Sequence, residues 1–505
     1  MLQAQKSVKT KQASKHSGDA GVKAPHVGFS LAKEDLSWLD AAEISSTLER
    51  HASEDASLIR EILAKARELK GLTTADVAAL IQIRSPELTE ELFSAARWAK
   101  EEIYGKRIVL FAPLYITNFC ANTCVYCAFS KENTALKRRA LTPDEIRREG
   151  EILVNQGHKR LMMVAGESYP NGIQYVLDAL EALYSIKVKN GEIRRINVNL
   201  APLGVDDFRK LHEIGIGTYQ LFQETYRRDI YASVHTRGKK ADFDWRLGAP
   251  DRAMKAGIDD IGLGVLYGLG DWRFDTLAVM RHAEHLEASF GAGCHTISVP
   301  RMEPAHGSSV SYQPTDRVSD DDFKKIVAIL RIAVPYTGII MSTRENAAMR
   351  RETLAVGVSQ ISAGSRTNPG GYATQLDIEA LPGDRPQEQF DESQFSLGDH
   401  RSLDEVVRDL AEMGYTPSFC TACYRNGRTG EDFMHWAKTG DIKEKCGPNS
   451  AGTFMEYLLD YASPGTAELG ARTLERDIAT MGEKEQKISH TIVEKIKSGK
   501  RDVFC

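Results

Sequence analysis

From residue 107 onward the chain alternates short apolar runs with longer amphipathic stretches. The runs are RIVLFAPLYI (107–116), RLMMVAG (160–166), RRINVNL (194–200), TYQLFQ (218–223), DIGLGVLY (260–267), HTISVP (295–300), GIIMST (338–343) and VSQISA (358–363). Brevity and β-branched content mark them as strands buried on both faces. Between them lie patterns of helical period, such as TPDEIRREGEILVNQG and SDDDFKKIVAILRIAV. The first opens on Thr-Pro followed by acids, a helix-start signal. Eight strands interleaved with helices predict an α/β fold, a closed parallel (β/α)8 barrel of TIM type. A doubly wound open sheet competes with it, and periodicity does not separate the two.

Upstream, LIREILAKARELK and LFSAARWAKEEIYG carry apolar residues at helical spacing, so residues 36–104 read as a helical extension ahead of a barrel over 105–367. Residues 368–400 are rich in Pro, Gly, Asp and Gln and read as an irregular connection, followed by a helix near 403–413. A mainly helical module over 416–505 ends in a charged helical pattern at 466–499.

Composition narrows the function. The 505 residues are 42% apolar and 27% charged, ordinary globular usage, and the net charge of −5 argues against a nucleic-acid binder. No run approaches the roughly 18 apolar residues that span a bilayer, so no membrane association is expected. The first 25 residues are polar and Lys-rich without an apolar core, which argues against a secretory signal. They contain no Arg, unlike many transit peptides, and residues 1–35 read as a disordered tail. The expected compartment is the reducing cytoplasm, or an organelle lumen if the tail is a targeting segment. Cysteine clusters in such a compartment mean metal or catalysis more often than disulfides.

Two cysteine triplets stand out. NFCANTCVYCAFS (118–130) holds Cys120, Cys124 and Cys127 just after the first strand, where a barrel places its catalytic groups. Three thiols so closely spaced make a poor disulfide set, and no fourth Cys or His lies nearby for structural zinc. A cubane iron–sulfur cluster suits the spacing, and three thiolates for four irons leave one iron open to a ligand. FCTACYRNGRTGEDFMHWAKTGDIKEKC supplies Cys420, Cys423 and Cys446. Here zinc, with His435 as fourth ligand, stands beside a second cluster as an alternative.

The pattern C-x3-C-x2-C, with Tyr126 before its third cysteine, resembles the signature of the radical S-adenosylmethionine (SAM) superfamily. The resemblance implies that the open iron chelates SAM, that one electron releases methionine and a 5′-deoxyadenosyl radical, and that Tyr126 lies against the adenine. VAGES (164–168) resembles the superfamily's Gly-Gly-Glu stretch, with Gly166 and Glu167 the matching positions at the SAM amino group and Ala165 in place of the first Gly. GIDDIGLGVLYGLG (257–270) resembles its Gly-rich strand.

LFQETYRRDIYASVHTRGKKADFDWRL and YGLGDWRFD resemble the tyrosine lyases of this superfamily, the thiazole-pathway 2-iminoacetate synthases and the HydG family of FeFe-hydrogenase maturases. That resemblance implies cleavage of the Cα–Cβ bond of L-tyrosine to p-cresol and dehydroglycine. Ser342 and Arg344, in MSTRE, would hold the tyrosine carboxylate, and Asp242 and Arg246 would contact SAM or pair structurally. The C-x2-C-x22-C module matches the HydG family. It implies an auxiliary cluster carrying an extra iron with free cysteine as its ligand, and His295 as that iron's histidine. Dehydroglycine would yield CO and cyanide there, building an Fe(CO)2(CN)–cysteine unit for the hydrogenase H-cluster. The implied partners are a reducing electron donor and other hydrogenase maturation proteins. Cys294, on the opposite strand face from His295, reads as packing, and Cys505 as a frayed terminus. The alternatives are a thiazole-pathway lyase with an added metal module and a non-enzymatic iron–sulfur scaffold.

Overall fold

The computed structural model describes residues 34–168, 171–380 and 392–505. Most of the tail expected over 1–35, and the middle of the 368–400 connection, therefore lie outside the described residues.

The eight apolar runs form eight parallel strands: β1 (Arg107–Thr117), β2 (Arg160–Ala165), β3 (Arg195–Asn199), β4 (Tyr219–Glu224), β5 (Ile261–Val265), β6 (Thr296–Ser298), β7 (Gly338–Met341) and β8 (Gln360–Ser362). Each pairs with the next, and β8 returns to β1 through Val109↔Gln360 and Phe111↔Ser362. The closed barrel, not the open sheet, is the fold. Closure leaves no barrel edge unpaired, and helices cover the outside, which is why the strands are apolar on both faces. In β1, Leu110, Leu114 and Ile116 point out into the helical layer's core, while Val109, Phe111 and Tyr115 face the lumen. Each buried leucine or isoleucine contributes about 1.5–3 kcal/mol.

Four helices precede the barrel: Ala41–Arg50, Ala56–Ala66, Thr74–Ile81 and Pro86–Tyr104. The last starts on a Ser85 cap with Pro86 at its first position and ends at Gly105, which takes a positive φ of 61°. The turn at Gly105 delivers the chain directly into β1. The helix Pro143–Asn155 opens with a capping box between Thr142 and Glu145, at the Thr-Pro signal read from the sequence.

Two features depart from the sequence reading. The connection is not wholly irregular, since Gly371–Glu379 is a helix. A ninth short strand, β9 (Thr416–Ser418), pairs parallel with the start of β1, Arg107↔Thr416 and Val109↔Ser418. Val109 thus pairs with β8 on one edge and β9 on the other. The C-terminal helices follow, Lys443–Asp460, Pro464–Thr480 and Glu483–Lys497, so the charged pattern over 466–499 is two helices with a break at Met481–Gly482. No helix among the described residues is long and apolar enough to cross a membrane.

Candidate functional site

β1 runs from one end of the barrel to the other, about 33 Å along its eleven residues. A cavity lies at each end. The upper, of 220 Å³, opens at the strands' C-terminal ends and is lined by Cys120, Cys124 and Cys127. The lower, of 50 Å³, sits at their N-terminal ends and is lined by Cys420, Cys423 and Cys446.

The upper cysteine loop is pinned by backbone hydrogen bonds from outside it. Ala121 N–H donates to Glu167 O at 2.7 Å, Thr123 N–H to Arg237 O at 3.1 Å and Val125 N–H to Val234 O at 3.1 Å. Position 166 must be glycine, because a Cβ there would stand 2.3 Å from the Phe119 carbonyl oxygen. The Asn122 amide donates to Glu167 Oε2 at 2.7 Å and its carbonyl accepts from Lys240 N–H at 2.9 Å. Asn122, which the sequence left unassigned, therefore aims Glu167 beside the cysteines.

Tyr126 lines the cavity with its hydroxyl 2.7 Å from His235 Nε2, while His235 Nδ1 lies 3.0 Å from the Tyr231 carbonyl. A carbonyl only accepts, so Nδ1 carries the proton, Nε2 accepts and Tyr126 donates. Burial drives the His235 ring well below the ordinary histidine range, which keeps this arrangement neutral.

Glu224 ends β4 at φ 73°, in the left-handed region, where the β4–β5 register shifts. Lys240 Nζ lies 2.6 Å from its carboxylate and Arg246 Nη2 3.4 Å, with Arg246 Nε also donating to Phe222 O at 2.7 Å. Burial raises the Glu224 carboxyl, but the two cations outweigh it and hold it below the usual range. Sequence reasoning missed Glu224, Lys240 and His235; the backbone outlier that marks Glu224 is invisible in sequence. Of the two SAM contacts expected here, the structure brings Arg246 to the cavity and does not bring Asp242. That residue caps the helix Phe243–Leu247 by accepting from Trp245 N–H at 2.9 Å.

Ser342 and Arg344 line the same cavity just beyond β7. The Arg344 guanidinium lies 3.4 Å from the centre of the Phe395 ring and, among the described residues, makes one long hydrogen bond, 3.5 Å to Arg301 O. Burial lowers its pKa, opposed by Tyr115, Glu224 and Glu303 nearby, and its guanidinium forms no ion pair among the described residues. Gln394, from the connection, donates to Cys127 Sγ at 3.7 Å and accepts from Tyr115 at 2.7 Å.

At the lower end, β9 brings Cys420 under β2, where Arg160 Nη2 donates to its carbonyl at 3.4 Å. Arg160 is 6% exposed and keeps Nε without a hydrogen-bond partner. It shares the Tyr424 ring with Arg195, at 5.2 and 4.8 Å. His295 lines this cavity against Phe433 at 4.9 Å, with Nδ1 3.7 Å from Asp260. His435, the fourth ligand a zinc site would need, is exposed and outside the cavity. Cys294 is fully buried in the core, on the packing side. Cys505 is not frayed: its N–H donates to Asn449 at 2.8 Å and its carbonyl accepts from Arg428 at 2.9 Å.

The thiols suit an iron–sulfur cluster. Burial pushes Cys124 up to about 12 and raises Cys127 and Cys420, so each thiolate needs a bound cation to exist there. Cys423 donates to Cys446, which is pulled down by that bond and by Arg107 and Arg428. Among the described residues no three Cys, His, Asp or Glu are grouped as a single metal ion requires. A cubane presents separate irons to its cysteines and needs no such convergence. The free Nε of Arg160 supplies positive charge where the cluster would add negative.

Residues 114–282 match the Radical SAM superfamily and residues 298–416 the Biotin and Thiamin Synthesis associated domain. The chain is 32% identical over 348 residues to 2-iminoacetate synthase of Escherichia coli (strain K12), covering 68% of this chain and 86% of that one. It is 45% identical to a crystal structure of HydG, a maturase of the [FeFe]-hydrogenase, with a TM-score of 0.88 and coverage of 93% of this chain and 100% of that one. HydG from Carboxydothermus hydrogenoformans is 40% identical, with a TM-score of 0.77, over 90% and 97%.

Proposed function

This chain belongs to the HydG family of radical SAM enzymes, and from that premise we propose that it cleaves L-tyrosine to p-cresol and dehydroglycine and turns the latter into CO and cyanide for an iron precursor of the FeFe-hydrogenase H-cluster. The observation that carries the reading is the placement of two cysteine triplets at opposite ends of one closed barrel. The match to 2-iminoacetate synthase covers 68% of the chain and the match to HydG 93%, which favours the family that has the second triplet.

At the upper end Cys120, Cys124 and Cys127 would hold a [4Fe–4S] cluster, which together with SAM would supply the radical chemistry of hydrogen abstraction. Glu167, aimed by Asn122, accepts from the SAM amino group, and Tyr126, fixed by His235, packs on the adenine. Arg246 and Lys240 present cationic hydrogen-bond donors to the SAM side of the cavity. Arg344 and Ser342 hold the tyrosine carboxylate, and the buried walls exclude water from the reacting atoms. A route for dehydroglycine between the two ends would run through the barrel lumen, where Phe111, Met162 and Gln220 line the floor of the upper cavity. At the lower end Cys420, Cys423 and Cys446 would hold the auxiliary cluster and His295 the cargo iron, with free cysteine as a ligand that the protein does not supply. All eight cysteines are free thiols, which suits a reducing cytoplasm or organelle lumen.

Two variants test the reading. Cys124→Ala should reduce p-cresol to background. Cys423→Ala should keep p-cresol within about threefold and lose CO and cyanide delivery to iron. Equal loss of p-cresol in both, with the upper cluster intact by spectroscopy, would overturn it.

A further inference from the structure

The upper cavity is lined by three carboxylates, Glu167, Glu224 and Glu303, and three cations, Lys240, Arg246 and Arg344. Four of the six are engaged within the protein. Glu224 takes both Lys240 and Arg246, and Glu167 accepts from Asn122. One charge of each sign is left over. Among the described residues neither Arg344 nor the half-buried Glu303 carboxylate forms an ion pair, with each other or with a neighbour. Two opposite charges that line one cavity without meeting are not an arrangement that stability rewards.

Their sequence neighbours brace them. Glu303 lies beyond β6 and Arg344 beyond β7, strands that pair in parallel with Ser298↔Ile340. Arg301, two residues before Glu303, grips Glu345, the residue after Arg344, with Nε 2.9 Å from Oε1. Met302 N–H donates to Tyr267 O at 2.8 Å, and Arg344 Nη1 donates to Arg301 O at 3.5 Å. The guanidinium therefore reaches the segment that carries Glu303. Burial and Glu345 raise the Glu303 carboxyl, and the nearby Arg344 and Arg301 act against them. An outer cavity of 600 Å³ shares Met302, Glu303 and Arg344 with the upper one, so the two charges stand at the junction of both.

We propose that Glu303 holds the ammonium group of the substrate amino acid while Arg344 and Ser342 hold its carboxylate. The inference rests on the lyase reading, which puts L-tyrosine in this cavity. An α-amino acid carries both charges on one carbon, so by bridging the gap it pairs both leftover side chains at once. Two charged anchors and a ring seated in the cavity make three points of attachment around Cα. Three points distinguish the L from the D configuration. They also fix the direction of the Cα–Cβ bond, the bond the lyase breaks, relative to the cysteine loop. Glu303 in this role forms a charge-assisted hydrogen bond and makes or breaks no covalent bond.

The test is titration calorimetry on anaerobic holoenzyme with SAM and no reductant, so that binding is read without turnover. The ligands are L-tyrosine, D-tyrosine and 3-(4-hydroxyphenyl)propanoate, which lacks the amino group. Glu303→Gln keeps the shape and removes the charge. It should weaken L-tyrosine at least about tenfold and should not weaken the propanoate by more than about twofold. The preference for L- over D-tyrosine should shrink at least about threefold. Glu303→Asp, which keeps the charge, should recover part of the L-tyrosine affinity. Unchanged L-tyrosine affinity in Glu303→Gln, or equal weakening of tyrosine and the propanoate, would overturn the proposal. Wild-type protein that makes no p-cresol once reductant is added would instead defeat the lyase reading.

Discussion

The two ends of this barrel solve different problems with the same eight strands. The upper cavity is the larger, at 220 Å³, and its buried charges are satisfied in advance: Glu224 between Lys240 and Arg246, Glu167 by Asn122. Arg344 forms no ion pair among the described residues, and on the proposed function it would meet the substrate carboxylate. The lower cavity, at 50 Å³, leaves more of its charge open, with Arg107 and Arg160 each keeping an unpartnered Nε. Paired charge suits a site that must orient flexible organic molecules. Unpaired positive charge suits one that must tolerate an anionic inorganic cluster. The floor of a barrel ordinarily serves stability. Here one added strand, β9, and the helices after it close a cavity lined by three cysteines beneath that floor, the second site of the proposed function.

Three experiments strain this contrast, beginning with the largest effect. Arg344→Lys loses the fork geometry at the one open upper cation. The KM for tyrosine should rise about tenfold to a hundredfold, with both clusters unchanged in iron content. An unchanged KM would remove Arg344 from substrate binding.

Gly338→Val addresses the wall of the lower cavity, since a Cβ at Gly338 already stands 2.5 Å from Gln360 Nε2. Added bulk there should lower CO and cyanide about tenfold while p-cresol stays within about twofold. If all three products fall together, the ends are not separable by this residue.

The smallest effect concerns acid. His158, just ahead of β2 at the lower end, is fully buried, and burial pushes its ring down to about 3. The unfolded chain binds a proton near 6.5 that the folded chain does not, so stability is full above that value and is lost as pH falls towards 3. Between pH 7.5 and 5.5 the loss from this ring is about 1 kcal/mol, measurable by urea unfolding of the holoenzyme. His158→Gln should flatten that slope.

Much of this was legible in the sequence because the strongest signals are local. Eight strands surfaced as apolar runs since both faces of a closed parallel sheet are buried. The two cysteine triplets surfaced because each stands out by its spacing along the chain, and the fold gathers each at one end of the barrel. What stayed hidden arises between distant segments. His235 serves Tyr126 across 109 residues, and Gln394 reaches Cys127 across 267, from a stretch whose composition suggested only irregular chain. β9 has three residues, one of them Pro417, and no run of that length announces a strand. Asp242 was read as either a SAM contact or a structural partner, and the structure gives it the structural role of a cap, because Asp at a helix start and Asp at a ligand are written alike. Cys505 was taken for fraying on position alone, whereas Arg428 and Asn449 hold it.

The pairing of Arg107 with Thr416 also sets an order of assembly. β1 is made early and finds β2 and β8 well before β9 leaves the ribosome. At about 5–20 residues per second, the chain between β8 and β9 takes several seconds to emerge. During that interval the start of β1 is an open sheet edge, the kind of surface that recruits stray strands. The lining of the upper cavity is made before that of the lower, so on the proposed function the chain itself would separate cluster insertion at the two ends in time.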